Sequence, residues 1–428
     1  MKSASKTPTE SMSSQRSVTL PETAPNDVTA GIDWARDDHA ACIVNGRGRK
    51  VATTTVEHTA SGLRELVGFL RRHGVDEVAI ERPDGPVIDT LLAAGLSVVV
   101  ISPNQVKNLR GRYGSAGNKD DRFDAYVLAD TLRTDRTRLR PLIPDRDDTV
   151  ALRRACRARK DLVKHRVAVA NQLRAHLRNV FPGAIGLFRD IDSEISLTFL
   201  TRFDTQDRAD WLTPQRLGGW LTKQGYSGRT DPAVLHARLL DAPRGATGIH
   251  ATTQAAITAS YVTLLLTLVE QIKILSTQID RQLDAHTDAH IFTSLPKAGR
   301  VRAARLLAEI GDCRARFPTP ESLTCLAGAA PSTRQSGKHR AVGFRWSCDK
   351  QLRDAVVDFA ADSRHANPWA ADYYNRARAR GHDHAHAVRI LARAWLHIIW
   401  HCWQDNLAYN PETHRALQRV ITQQNKAA

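Results

Sequence analysis

Three short apolar runs open the ordered part of the chain: VTAGIDWA (28–35), HAACIVN (39–45) and KVATTTVEH (50–58), divided by the polar turns Arg36-Asp37-Asp38 and Gly46-Arg47-Gly48. Runs of this length between turn residues predict strands. At 60–73 the spacing changes, and Leu63, Leu66, Val67 and Leu70 fall on one helical face. EVAIER (77–82) and LSVVVIS (96–102) predict two further strands around a helix at 86–94, and helices at about 103–112 and 119–134 close the unit. Three meandering strands followed by alternating helix and strand specify a mixed sheet flanked by helices.

The pattern then lengthens. A basic helix at 147–181 carries Leu162, Val169, Leu173, Leu177 and Val180 on one side. A second, at 252–288, repeats Tyr261, Leu265, Leu268, Ile272, Leu275 and Ile279 in alternating steps of four and three. Such a heptad seam predicts a coiled coil, with the first helix or with a second subunit. Between them, 183–250 reads as a small helical insertion. From 291 the order is SLPKAG (294–299) opening a helix at 301–311, the polar loop PSTRQSGKHR (331–340), then helices at 350–365, 368–380 and 384–406. SLPKAG resembles a helix-hairpin-helix connection that offers backbone N–H groups to phosphates. The expected divisions are a disordered tail 1–26, rich in Ser, Thr, Pro and Lys, an α/β domain 27–146, a long-helix region 147–290, a C-terminal domain 291–415 and a polar tail 416–428.

Charge adds a partner class. The 428 residues hold 61 Lys and Arg against 45 Asp and Glu, a formal +16, which favours nucleic acid over membrane because neutralised phosphates release counterions. The six cysteines form no C-x-x-C pair and suggest neither a disulfide framework nor a zinc ribbon. No uninterrupted apolar run reaches membrane-span length, and the N-terminus lacks the apolar core of a signal peptide, so a cytoplasmic protein with no membrane partner is expected.

Four acids stand where acids are costly. Asp33 interrupts the first strand and Glu81 ends the fourth, while Asp121 and Asp124 lie three apart on one helix face. Asp120 and Asp84 are their near neighbours and competitors. Carboxylates converging from two strands and a helix, with no His or Cys beside them, make a hard-oxygen set suited to Mg²⁺ or Mn²⁺. A pair of such ions clamps the attacking and leaving oxygens of a phosphodiester. In the polar loop, Ser336 stands among Arg334, Lys338, His339 and Arg340. Taken alone it reads as a phosphate contact or turn residue, since a serine hydroxyl needs activation to attack phosphorus. Ser332, after Pro331, reads as a turn. His382, His384 and His386 lack the further ligand a zinc tetrahedron needs and read as a solvated loop; His397 and His401 read as packing within a Trp-rich helix.

The pattern G-I-D-W-A, then I-E at the end of a later strand, then N-K-D-D-R-F-D-A resembles the DEDD transposases of the insertion sequence one-ten family. FTSLPKAGRVRAARLLAEIGDCRARFPTPESLTCLAGAAPSTRQSGKHR resembles their C-terminal domain. The resemblance implies an α/β RNase H-like, RuvC-like N-terminal domain with Asp33, Glu81, Asp121 and Asp124 as the acidic tetrad, and Ser336 of the Ser-Gly pair as the nucleophile. The three-residue spacing to Asp124 favours Asp121 over Asp120. It also implies site-specific cutting and joining at the ends of an insertion element, with DNA, an element-encoded structured RNA and further subunits as partners. Two departures bear on DNA contacts, for which Lys297, Arg300, Arg334, Lys338 and Arg340 are candidates: Lys297 replaces the hairpin's usual glycine, and WSCDKQLR (346–353) replaces a Lys- and Gly-rich stretch. The rivals are a RuvC-like metal-dependent nuclease using water, and a non-catalytic nucleic-acid-binding protein.

Overall fold

The polar turns after β1 (Val28–Trp34) and β2 (Asp38–Asn45) are short, so β1, β2 and β3 (Lys50–Glu57) run antiparallel. Helices α1 (Ala60–Arg72) and α2 (Pro86–Ala93) are long enough to carry the chain back. They set β4 (Glu77–Ile80) parallel to β1 and β5 (Ser97–Val100) parallel to β4, giving the sheet order β3-β2-β1-β4-β5. This mixed sheet with helices fits the RNase H-like arrangement. The computed structural model describes residues 19–113, 120–245 and 247–427, in two compact units, Met1–Pro144 and Asp145–Ala428.

In the first unit α3 (Pro103–Arg110) precedes α4 (Asp121–Thr134). Ala40, Cys42 and Val44 of β2 pack with Ala125 and Ala129 of α4, while Ala41 and Ile43 face the core that includes Leu66 and Leu70 of α1. Both sheet faces are covered, which is why β2 is buried almost continuously rather than alternately. Small side chains let α4 lie directly on β1. A Cβ at Gly31 would stand 2.1 Å from the Ala125 carbonyl oxygen and 2.4 Å from the Ala129 nitrogen. Residues 19–26 fall within the tail expected at 1–26 yet are held in place, and residues 1–18 of that tail lie outside the described ones. Arg136 pairs with Glu77 through two buried bonds of 2.6 and 2.8 Å and donates through Nε and Nη2 to the carbonyls of Pro21 and Thr23. A buried guanidinium with donors to spare thus fixes a segment that carries little apolar signal of its own.

The second unit is built on α5 (Asp147–Val180) and α10 (Gly248–Ala285). They run antiparallel: Leu152 and Cys156 share a core with Ile279 and Leu283, and Leu173 and Leu177 share another with Val262 and Leu265. Of the predicted seam, Leu265, Leu268, Ile272 and Ile279 are buried, and Tyr261 and Leu275 are half-buried. Another side of α10 stays open, with Ile257, Leu264 and Ile274 at 40, 47 and 48% exposure. One 18-residue stretch of α10 has mean hydropathy 1.5, enough by length and composition alone to cross a membrane. It is not an uninterrupted apolar run, because uncharged Thr, Ser and Gln break the string without lowering the average much.

Segment 183–250 folds as α6 (Glu194–Arg202), α7 (Gln206–Asp210), α8 (Pro214–Lys223) and α9 (Pro232–Asp241). Phe181, Phe199 and Phe203 join it to both long helices in one core. Next come α11 (Ala289–Thr293), α12 (Gly299–Ile310), α13 (Pro320–Leu326), the ribbon β6 (Ser332–Ser336) and β7 (His339–Gly343), α14 (Lys350–Ser363), α15 (Pro368–Ala379), α16 (His384–Gln404) and α17 (Arg415–Ala427). Leu283, Phe292, Leu307, Leu352 and Trp395 belong to one core, so the line expected at 290 cuts through packed structure. The tail expected at 416–428 is instead helical, and Leu417 is buried in that same core.

Candidate active site

Strand and helix periods bring the acids together. Thr29 Oγ1 donates to the Ala129 carbonyl at 2.9 Å, and Gly31 lies beneath Ala125. Two residues further along the strand, on the same face, is Asp33; four residues back along the helix, on the same face, is Asp121. A two-residue strand step is about 6.6 Å and a four-residue helix step about 6 Å, so the two elements stay in phase. Asp33, Asp121 and Asp124 each offer a carboxylate oxygen within 4.8 Å of the others. A cavity of about 210 Å³ opens beside Asp33 and Asp121, bordered also by Asp38, Thr55 and Arg122.

Asp120 does a different job. It caps α4, its Oδ1 accepting from the Arg122 nitrogen at 3.1 Å, so Asp121 is the neighbour that enters the trio. Glu81 is the expected acid that the trio leaves out. The pairing of Ile32 with Ile80 puts it level with Asp33, but β4 ends at Ile80 and Glu81 already lies in the bend that follows. The unforeseen member is Arg110 at the end of α3. Its Nε meets Asp124 Oδ1 at 2.5 Å and its Nη2 meets Oδ2, a two-pronged pair to a carboxylate only 1% exposed. No sequence spacing announces this partner, because α3 and α4 meet only in three dimensions. Oxygen ligands gathered this closely repel unless positive charge is present, which is the donor set a hard divalent cation requires.

Ser336 is in the second unit, and the segment expected as a loop is a ribbon. Ser336 and His339 close its last rung around Gly337-Lys338. Gly337, at φ 53°, leads this two-residue turn, a position that favours glycine. All five residues of β7 are exposed, so no apolar alternation marked the strand. Pleating puts Arg334 on the Ser336 face and Arg340 on the opposite one. Among the described residues, neither the Ser336 hydroxyl nor the side chains of Arg334, Lys338 and Arg340 have a hydrogen-bond or ion-pair partner. The ribbon's base is pinned by Arg345, which donates to the carbonyls of Ala330 and Pro331 at 3.2 Å each.

The two other nucleic-acid candidates differ from each other. Lys297 is exposed with φ at 62°, a left-handed conformation that explains a usual glycine at that point. Arg300 is held by Asp280 at 3.0 Å and Asp284 at 2.5 Å, and these bonds raise its pKa. It ties α12 to α10 rather than standing ready for a phosphate.

A carboxylate trio where a sheet meets a helix forms a candidate centre for divalent-metal chemistry, in a chain that also carries an exposed serine ribbon. Residues 30–182 match the DEDD type of IS110, described as Transposase, and residues 289–375 match the Transposase IS116/IS110/IS902 family. The chain is 32% identical over 401 residues to the mini-circle protein named as a transposase for IS117 of Streptomyces coelicolor, covering 90% of this chain and 96% of that one. It is 30% identical to the 42 kDa protein of insertion element IS900 of Mycobacterium paratuberculosis, covering 91% and 98%. The RuvC of T. thermophilus, solved with a Holliday junction substrate, is 19% identical and covers 27% of this chain and 99% of its own, with a TM-score of 0.22, too slight to build on. The protein belongs to the IS110 family of DEDD transposases.

Proposed function

We propose that this transposase cuts and rejoins the ends of its element by transferring a DNA strand to Ser336, with Asp33, Glu81, Asp121 and Asp124 holding Mg²⁺ or Mn²⁺. The observation that carries the reading is the convergence of Asp33, Asp121 and Asp124 within 4.8 Å. Glu81, at the same strand level as Asp33, completes the tetrad by a side-chain rotation. Bound there, the ion supplies Lewis-acid stabilisation of the charge that builds on the phosphate.

The chain's own part is positioning and proton transfer. Ser336 Oγ bonds to phosphorus, the bond from phosphorus to the DNA 3′ oxygen breaks, and the serine proton ends on that departing oxygen. His339, directly across the ribbon with Cβ atoms about 4.5–5.5 Å apart, is placed to relay it. The phosphodiester's energy is kept in the protein–DNA ester, so a 3′ hydroxyl reverses the step and joins a new strand without an external energy source. This requires the serine and the acids to act on one phosphodiester in the DNA-bound assembly. The formal +16 suits DNA together with an element-encoded structured RNA. The open side of α10, with Ile257, Leu264 and Ile274, suits a second copy of the chain. The setting is the bacterial cytoplasm, on the nucleoid, without a membrane partner.

The test is covalent trapping. With element-junction DNA and Mg²⁺, the wild type should form a denaturant-resistant adduct, and Ser336→Ala should bind DNA and Mn²⁺ normally but form none. Cleavage at normal rate by Ser336→Ala would mean that water is the nucleophile and the enzyme a RuvC-like nuclease. Repeating the assay with and without the element's transcripts tests the RNA requirement.

A further inference from the structure

Beneath the serine ribbon the second unit holds a cavity of about 930 Å³ between β7 and α16. Its lining carries the basic side chains Arg345, Arg389, Arg393, His382, His386 and His397 and, among the described residues, no carboxylate. The remaining wall is apolar and aromatic, including Phe344, Tyr373 and Ile390. The two histidine sets read above as a solvated loop and as helix packing therefore contribute three residues to one concavity. His382 and His386 stand with ring centres 4.3 Å apart, and His397 is only half-buried. Phe344 is fixed as a wall, its ring contacted by the guanidinium carbons of Arg353 and Arg389 at 4.8 and 4.9 Å. Beside it Trp346 is 78% exposed, its ring edge-on to Phe344 at 4.8 Å. Arg393 is exposed and, among the described residues, has no ion-pair partner.

We propose that this cavity seats an unpaired nucleotide of the strand presented to Ser336, its phosphate on Arg393 and Arg389, its base against the Phe344–Tyr373 wall, and the next base on Trp346. The volume lies within the roughly 300–1,000 Å³ of pockets that enclose a small organic group. Planar rings beside guanidinium groups are the chemistry that holds single-stranded bases and their backbone without reading sequence. Placement agrees: Val342 and Gly343 line the cavity, and the four strand steps from His339 to Gly343 span about 14 Å, so a strand lying along the ribbon reaches both the tip and the cavity. Duplex DNA cannot put a paired base into such a concavity without opening, so the site selects opened strands. The inference rests on the proposed delivery of a DNA strand to Ser336.

The experiment uses the full chain and a short single-stranded oligodeoxynucleotide carrying one 2-aminopurine, the same sequence as duplex, and the same sequence as RNA. The wild type should quench the single-stranded probe and bind it more tightly than the duplex. Arg393→Ala, and Ile390→Glu, which sets a negative charge in the cavity, should each weaken single-strand binding by about tenfold and leave duplex binding unchanged. Arg393→Lys should recover part of the loss. A preference for the DNA strand assigns the seat to the substrate; a preference for the RNA strand assigns the same nucleotide chemistry to the RNA. Equal wild-type affinity for single strand and duplex, or unchanged single-strand affinity in both variants, overturns the site. Ser336→Ala keeps the single-strand preference in this scheme. Loss of adduct with preference retained therefore speaks to the serine alone, and loss of preference with adduct retained speaks to the cavity alone.

Discussion

The acid trio and the serine ribbon are built in opposite ways. Asp33 sits on a strand paired on both sides, and Asp124 on a helix whose backbone rests against that strand, so neither acid can shift without moving a packed core. Ser336 ends an exposed two-stranded ribbon, a form that is marginally stable by itself. A group that must hold several like charges together needs a rigid frame, because repulsion otherwise spreads them. If Ser336 meets a phosphate and later releases it, as proposed, it gains from a support with few contacts to break.

The largest expected effect is at the rigid site. Asp124→Asn removes a charge from the trio and from the Arg110 pair, and strand cleavage should fall by more than the ~100-fold that losing an outer-shell partner can cost, with weaker Mn²⁺ binding in calorimetry. Cleavage within tenfold of wild type would break the idea that the trio is the reacting centre. Next is Gly31→Ala, whose new methyl meets helix backbone that has little room to retreat. It should cost about 1–3 kcal/mol or more in urea unfolding. Gly343→Ala on the ribbon, with nothing within 4 Å of the new atom, should stay within about 0.5 kcal/mol. Equal losses in the two variants would erase the contrast.

Acid should separate the two units more gently. Burial lowers the pKa of His39 in the first unit and of His176, His286 and His414 in the second. The unfolded histidines titrate near 6.5, so below that pH the unfolded chain binds more protons than the folded one. The stability from keeping these rings neutral is complete above 6.5 and is lost as pH falls beneath it. Thermal unfolding between pH 7 and pH 5 should show the larger loss in the second unit, and a uniform shift would argue against burial as the cause. The smallest effect concerns single cations: Arg334→Ala should reduce the salt slope of DNA binding by about 1, whereas Arg300→Ala should leave it unchanged because Asp280 and Asp284 already hold that side chain.

What could be read beforehand follows from the same contrast. The five sheet strands carry dense apolar runs and the long helices an apolar period near three and a half, and Asp33 stood out because it interrupts one of the runs. The ribbon was read as a loop because an exposed strand has no apolar face to reveal it. The ordered residues before 27 owe their place to the leftover donors of a distant arginine, and Arg110 meets Asp124 across fourteen residues of chain that include the stretch outside the described residues. Glu81 was the readable acid that geometry treats differently, since the strand ends one residue before it. In α17 the signal was available, because Leu417 and Ile421 lie one turn apart, but a surrounding of Gln, Thr and Arg concealed it.

The antiparallel pair of α5 and α10 also works as a ruler. One core grips the pair around Leu152 and Ile279, the other around Leu173 and Leu265, and α6 to α9 are mounted on the second alone. The interval between the two cores is counted in helical turns. Seven residues added to the middle of both helices would carry the mounted head about 10.5 Å outward while nearly restoring its rotational setting. Three or four residues added to one helix would instead turn its apolar stripe out of register with its neighbour. The pairing thus tolerates a head of another size, but its stripes stay in register only when the head's distance changes in matched, whole-repeat increments.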